Sequence, residues 1–147
     1  MTTVHTHTKS SFGTARVADA MTTGVISCAP DTPLRHVARI MAEARVHAVY
    51  VFDYGAEDDE AVQLWGLVSD LDLVAAARGD MDARTARDTS VTPLLRVRSD
   101  DSLDRAAQLM SEYGVAHLAV IDPSTGRPSG VLSSLDLARV ITGDVDQ

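Results

Sequence analysis

The chain is most easily read from what it has little of. Cys28 is the only cysteine in 147 residues, so no internal disulfide and no cysteine-based zinc site is possible. Lys9 is the only lysine, the net charge is −8, and the arginines are scattered. Binding a nucleic-acid backbone needs a clustered basic face, so no nucleic-acid partner is expected. No apolar run approaches the ~20 residues of a membrane span, and no membrane partner is expected either. Met1 to Ser11 is polar, rich in Thr and His, and lacks the apolar centre of a secretory signal. The expectation is a cytoplasmic protein with a disordered N-terminus, in which His5 and His7 have no metal-ligating company. What remains is globular in character, at 45% hydrophobic and 23% charged, and a chain this long buries roughly 70% of its unfolded surface. Cys28 lies in an apolar stretch and reads as core rather than nucleophile.

One short pattern occurs twice: Gly66-Leu67-Val68-Ser69-Asp70-Leu71-Asp72 and Gly130-Val131-Leu132-Ser133-Ser134-Leu135-Asp136. Each reads as a strand running into a helix, with Ser69 or Ser133 as N-cap. A helix start presents unpaired N–H groups and the positive end of the dipole, which suit an anion such as phosphate. An aspartate in the first turn can accept hydrogen bonds from the vicinal hydroxyls of a ribose. Ser-x-x-Asp is equally a variant of the capping box, which only closes a helix start. Asp70 has Ser134 as its counterpart and reads as a first-turn residue favoured by the dipole.

The pattern belongs to a longer repeat. Aligning Leu34 with Leu103 also brings Met41 onto Met110, Val46 onto Val115, Val51 onto Val120 and Asp53 onto Asp122. The first copy then carries extra residues in a polar hairpin loop, Tyr54 to Ala61. Each copy predicts a lead helix (Arg16 to Ala20; Thr85 to Thr89) and a strand (Gly24 to Cys28; Pro93 to Val97). An amphipathic helix follows. Leu34, Val37, Ala38 and Met41 form its apolar face in copy one, with Thr32 as N-cap and Pro33 at N1. Leu103, Ala106, Ala107 and Met110 do so in copy two, capped by Asp101 or Ser102. Two further strands (His47 to Phe52 and Val62 to Val68; His117 to Ile121 and Pro128 to Leu132) lead into the helix after the serine. The order is β-α-β-β-α, twice. Gly79 to Arg84 reads as a short connector.

From Arg16 to Gly143 the chain resembles a tandem pair of CBS domains, a Bateman module. Ala20-Met21-Thr22, Pro30-Asp31-Thr32-Pro33-Leu34 and the two Gly-x-x-Ser-x-x-Asp segments carry the resemblance; Arg87-Asp88-Thr89-Ser90 is a weaker copy of the first. It implies an α/β (α+β) fold of two repeats packed as a pseudo-two-fold module. The segments are a polar tail at 1–14, repeat one at 15–79 and repeat two at 80–147. It also implies an adenosine nucleotide (AMP, ADP or ATP) as ligand, no required cofactor, no metal and no catalytic residue. The implied sites are crossed, in the cleft between the repeats. One joins Ser69 and Asp72 to Leu95, Ala116 and His117. The other joins Ser133 and Asp136 to Met21, Ile26, His47 and Ala48. Strong phosphate binders of the family carry a His-Arg pair before the second strand, followed by a proline. This chain has His47-Ala48 and Ala116-His117 there, with Tyr50 and Ala119 further on, and no arginine at either place. The two histidines are then the nearest candidate cations, or else structural residues at strand starts.

The leading functional expectation is a non-catalytic regulatory sensor that signals to an effector protein or through its own dimer. The alternative is a CBS-type dimerisation or interaction protein with no small-molecule ligand. An enzyme ranks last, because neither Ser69 nor Ser133 has the adjacent general base a nucleophile needs. A homodimer is expected, formed through apolar residues left on the helices, such as Leu73, Val74, Leu137 and Val140.

Overall fold

The computed structural model describes residues 12–54, 62–90 and 94–143. The hairpin loop at 55–61, with its acidic run, lies outside them. Along the chain the elements are α1 (Val17–Ala20), β1 (Thr22–Thr23), β2 (Ser27–Cys28), α2 (Leu34–Ala44), β3 (Ala48–Tyr54), β4 (Val62–Ser69) and α3 (Asp70–Ala77). A 3₁₀ turn (Met81–Ala83) precedes α4 (Ala86–Thr89), β5 (Arg96–Arg98), α5 (Leu103–Tyr113), β6 (His117–Ile121), β7 (Pro128–Ser133) and α6 (Ser134–Thr142). They form two compact units. The central unit is Val25–Leu94; the terminal unit comes from Met1–Gly24 and Leu95–Gln147.

The central unit has a three-stranded sheet in the order β2-β3-β4. β2 and β3 are parallel, with α2 as the crossover that parallel pairing requires; β3 and β4 are antiparallel, with Ala48 opposite Ser69. Leu34 and Val37 on α2 are fully buried against Val49, Val51 and Val68, and Leu73, Ala76 and Ala86 close the core. The start of α2 differs from the expected one: Pro33 is the N-cap and Thr32 caps nothing. Pro33 forms a bridge with Thr85, the Leu34 N–H donates to the Arg84 carbonyl, and the Thr32 carbonyl accepts from Ala86 N–H. The segment after the 3₁₀ turn thus supplies the acceptor that a side-chain cap would have imitated.

The terminal unit has a four-stranded sheet in the order β1-β7-β6-β5, with β5 parallel to β6 and the other pairs antiparallel. Val17, Leu103, Ala106, Leu118, Val120 and Leu132 are fully buried, with Met110, Leu137 and Val140 at the margin. Phe12 and Ala15 also pack on this core, and residues 12–14, assigned to the tail by sequence, make a helical turn. Ser102 is the N-cap of α5, its Oγ accepting from Arg105 N–H at 3.2 Å. Gly24, at φ 104°, interrupts the single strand expected from Gly24 to Cys28, leaving the short β1 and β2.

Each lead helix lies in the unit that holds the body of the other repeat. Val17 and Ala18 of α1 donate to the carbonyls of Asp101 and Ser99, while Ala86 and Arg87 of α4 donate to those of Thr32 and Pro30. The helix-face expectation also changes. Leu73, Leu137 and Val140 are buried, because each turns back onto its own sheet. Val74 is exposed as expected, together with Leu71, Leu135 and Ile141.

Candidate functional site

Both Ser-x-x-Asp segments are built at a junction where an antiparallel strand becomes a helix without an intervening loop. In the central unit the Ser69 Oγ accepts from Asp72 N–H at 3.2 Å, and Asp72 Oδ2 accepts from Ser69 N–H at 2.8 Å and from Ser69 Oγ at 2.9 Å. In the terminal unit the Ser133 Oγ accepts from Asp136 N–H at 3.2 Å, and Asp136 Oδ2 accepts from Ser133 N–H at 2.8 Å. Both are complete capping boxes. Each therefore uses one aspartate oxygen for structure. Asp72 Oδ1 has no hydrogen-bond partner among the described residues. Asp136 is only 4% exposed, and its Oδ1 lies 3.5 Å from Arg139 Nη1.

The surroundings bring the expected residues together unit by unit. Ser69 and Asp72 share the central unit with Ile26, His47 and Ala48: Ala48 faces Ser69 across the ladder, His47 O accepts from Asp70 N–H, and Ile26 O accepts from Tyr50 N–H. Ser133 and Asp136 share the terminal unit with Met21, Leu95, Ala116 and His117. There His117 faces Ser133, Ala116 O accepts from Ser134 N–H, and Leu95 O accepts from Ala119 N–H. The crossed grouping implied by the resemblance takes its members from both units.

The two histidines are not equivalent. His117 is the first residue of β6 and half-buried, in the position of the buried Ala48. His47 stands one step earlier, in the position of Ala116, and is exposed. Its Nδ1 lies 3.0 Å from Asp70 Oδ2. Asp70 Oδ1 accepts from Leu71 N–H at 2.8 Å. This pair was not readable in the sequence, since twenty-odd positions separate residues that only the β3–β4 register brings together.

Other candidates have structural explanations. Cys28 is buried, and burial pushes its thiol up, against a bond with Thr32 that acts the other way. A thiol so placed is a poor nucleophile. Among the described residues no group of three or more His, Cys, Asp or Glu side chains is set to hold a metal ion, and no helix is long and apolar enough to cross a membrane. In the central unit the buried hydroxyls of Thr89 and Ser90, at the end of α4, have no hydrogen-bond partner among the described residues.

Comparison with known proteins agrees with this geometry. The CBS domain model matches residues 17–79 and again 86–143. The CBS domain-containing protein YhcV of Bacillus subtilis (strain 168) is 27% identical over 124 residues, covering 83% of this chain and 82% of that one. The CBS domain pair of protein MJ0100, solved with 5′-methylthioadenosine and S-adenosyl-L-methionine, superposes with a TM-score of 0.74 at 19% identity, covering 88% of this chain and 98% of that one. CBSX2, solved with AMP, gives 0.64 at 24% identity over 90% and 98%. With the model matched twice, and with the same strand-to-helix element at the same place in each match, this chain belongs to the CBS domain family and carries two copies of the domain.

Proposed function

We propose that the chain is a non-catalytic regulatory module that binds an adenosine nucleotide at its Ser-x-x-Asp elements and reports occupancy to a partner protein or through its own dimer. The observation that carries this is the duplicated element itself. In both units a serine and an aspartate are held at a helix start of eight residues or more, by the same two backbone N–H bonds at 2.8 and 3.2 Å. The structures of MJ0100 and CBSX2, solved with adenosine derivatives, support the choice of ligand. In this reading Asp72 and Asp136 take ribose hydroxyls, and Ser69 and Ser133 sit beside the phosphate. Ile26 and Ala48, or Met21, Leu95 and Ala116, give apolar contacts to the base, with His47 and His117 at the rim.

A ligand binding at ~10 μM would stabilise the fold by about 2.7 kcal/mol when supplied at a hundredfold excess over that value. That is roughly 5–10 °C in melting temperature for a chain of this size. Thermal-shift measurements with AMP, ADP, ATP, adenosine and GTP test it, and an adenine-specific rise is expected. Asp72→Asn and Asp136→Asn are the matching variants. Alanine would also remove the acceptor for the serine N–H and open the cap, at about 0.5–2 kcal/mol. Asparagine keeps that acceptor and removes the charge, so each variant should lose part of the ligand response. No response to any nucleotide would leave the interaction-protein reading, in which the boxes are only caps.

The same reading includes a homodimer. Leu71 and Val74 on α3 are 69% and 62% exposed, and Leu135 and Ile141 on α6 are 53% and 57% exposed. Sedimentation at twice the 15.7 kDa chain mass is expected, and a monomer at micromolar concentration would remove this part.

A further inference from the structure

Within the four residues of the Ser-x-x-Asp segment one charged residue differs, and it occupies the helix start; beyond the segment, Arg139, 3.5 Å from Asp136 Oδ1, stands where α3 has Ala75. In α3 the first N–H, of Asp70, donates to His47 O; the second, of Leu71, donates to Asp70 Oδ1; the third, of Asp72, donates to Ser69 Oγ. All three donors a phosphate would use are thus taken, one of them by a carboxylate of the chain itself. The other oxygen of that carboxylate holds the His47 imidazole at 3.0 Å, so the nearest candidate cation is engaged as well. In α6 the first and third N–H groups are taken in the same way, by Ala116 O and Ser133 Oγ. Ser134 replaces Asp70, and no side chain accepts from Leu135 N–H among the described residues.

From this we infer that Asp70 is a specificity-determining residue, which makes the Ser69 element select an uncharged or cationic adenosine derivative over a phosphorylated one. The Ser133 element carries no such barrier and takes the phosphorylated form. The inference rests on the reading that both elements bind adenosine compounds. It adds that they bind different ones. The physical basis is direct. A phosphate approaching α3 meets a negative carboxylate where α6 offers a backbone donor, and displacing that carboxylate breaks its bonds to Leu71 N–H and His47 together. A neutral ribose meets no like charge and needs only Asp72 Oδ1, which has no partner among the described residues.

Calorimetry on the full chain with AMP and adenosine tests the assignment, at about pH 8 where the AMP phosphate carries two charges. In the parent, AMP should fill two sites whose affinities differ at least tenfold, while adenosine fills both within threefold. Asp70→Ser should bring the two AMP affinities within threefold and leave adenosine unchanged. Ser134→Asp is the reciprocal variant. It should weaken the tighter AMP site at least tenfold, again without effect on adenosine, and it keeps the test open should Asp70→Ser fold poorly. The inference is overturned if AMP fills both parent sites within threefold. It is also overturned if the split survives Asp70→Ser, or if adenosine shows the same split or leaves one site empty. In those cases an adenosine compound still binds, and the broader sensor reading stands. If neither compound binds the parent, the sensor reading fails and this inference with it.

Discussion

The central and terminal units are built to one plan and finished differently. Both have a parallel pair crossed by an amphipathic helix, an antiparallel return strand, and a helix that starts on a serine. Even the irregularities repeat. The β3–β4 register shifts between Val51 and Phe52, and the β6–β7 register shifts between the aligned residues Val120 and Ile121. The differences lie at the edges. The terminal unit gains β1 along β7, ends its long helix on a glycine, and leaves its second capping helix without an extra acid. The central unit has no strand beyond β4 among the described residues, ends α2 on Arg45, and places Asp70 against His47. What repeats is therefore the core and the cap, which folding requires. What varies is what surrounds the capped helix start: Asp70 against His47 in one unit, Ser134 in the other.

The largest effect is expected where the terminal unit has its additional strand. Gly130 pairs with Thr23 of β1, and a Cβ there would collide with the Thr22 carbonyl, which is backbone and has little freedom to yield. Gly130→Ala should cost about 1–3 kcal/mol in chemical denaturation, through overpacking and loss of the β1–β7 pairing. A Gly130→Ala variant as stable as the parent would show that β1 does not constrain Gly130.

A smaller effect, of opposite sign, is expected at the helix ends. Arg45 and Gly114 are aligned and adopt nearly the same left-handed conformation, at φ 57° and 62°. Both N–H groups close the same bond, to Met41 O and Met110 O. An L side chain in this region costs about 1–2 kcal/mol, offset in part by the extra freedom glycine brings to the unfolded chain. Arg45→Gly should therefore stabilise by about 0.5–1 kcal/mol, and Gly114→Arg should lose about as much. A destabilised Arg45→Gly would mean that the Arg45 side chain contributes something the cap geometry does not show.

The parts of this architecture that could be read from sequence are those governed by local rules. The apolar faces carrying Leu34, Val37 and Met41, and Leu103, Ala106 and Met110, follow helical spacing and are buried as that spacing requires. Ser69 and Ser133 cap their helices because serine at a strand end satisfies an orphan N–H whatever the wider fold. What escaped the sequence depends on distant partners. Pro33 displaces Thr32 as N-cap only because Arg84 and Thr85 come alongside. The exchange of α1 and α4 between units rests on backbone bonds to Ser99, Asp101, Pro30 and Thr32, which no periodicity announces. Leu73, Leu137 and Val140 looked like surface because short helices carry apolar residues nearly all round, and only their docking on the sheet shows which side is inside. At the site, the serines and aspartates were legible, but the different settings of His47 and His117 were not. The same position faces the serine in both units, Ala48 in one and His117 in the other, and only the strand register shows that His47 falls beside Asp70.

The smallest expected effect separates the units by the origin of a charge rather than by packing. Arg35 on α2 donates through Nε to Asp82 Oδ1 at 2.8 Å, and this hydrogen bond, helped by the guanidinium charge, holds the Asp82 carboxyl below the usual carboxylate range. In the terminal unit Asp122 is also held low, by the hydroxyl and backbone N–H of Ser124 within its own turn. In both cases the folded state favours the charged form. The stabilising contribution is therefore present above the ordinary carboxylate value near 4, and is lost as pH falls through the lowered one. Asp82 is exposed and Asp122 half-exposed in its turn, so the melting temperature should barely register either loss. A carboxyl-carbon titration resolves them. Raising the salt should move Asp82 part of the way back towards the ordinary value, because its Coulombic share is screened, and should leave Asp122 almost unmoved. Arg35→Gln should raise the Asp82 value and not that of Asp122. If Asp82 titrates normally in the parent, or follows salt no more than Asp122 does, then the tie from α2 to the 3₁₀ turn does not persist in solution. The central unit would then lose an ion pair that joins residues far apart in sequence, while the terminal unit would keep its Arg98–Asp100 pair, which is local.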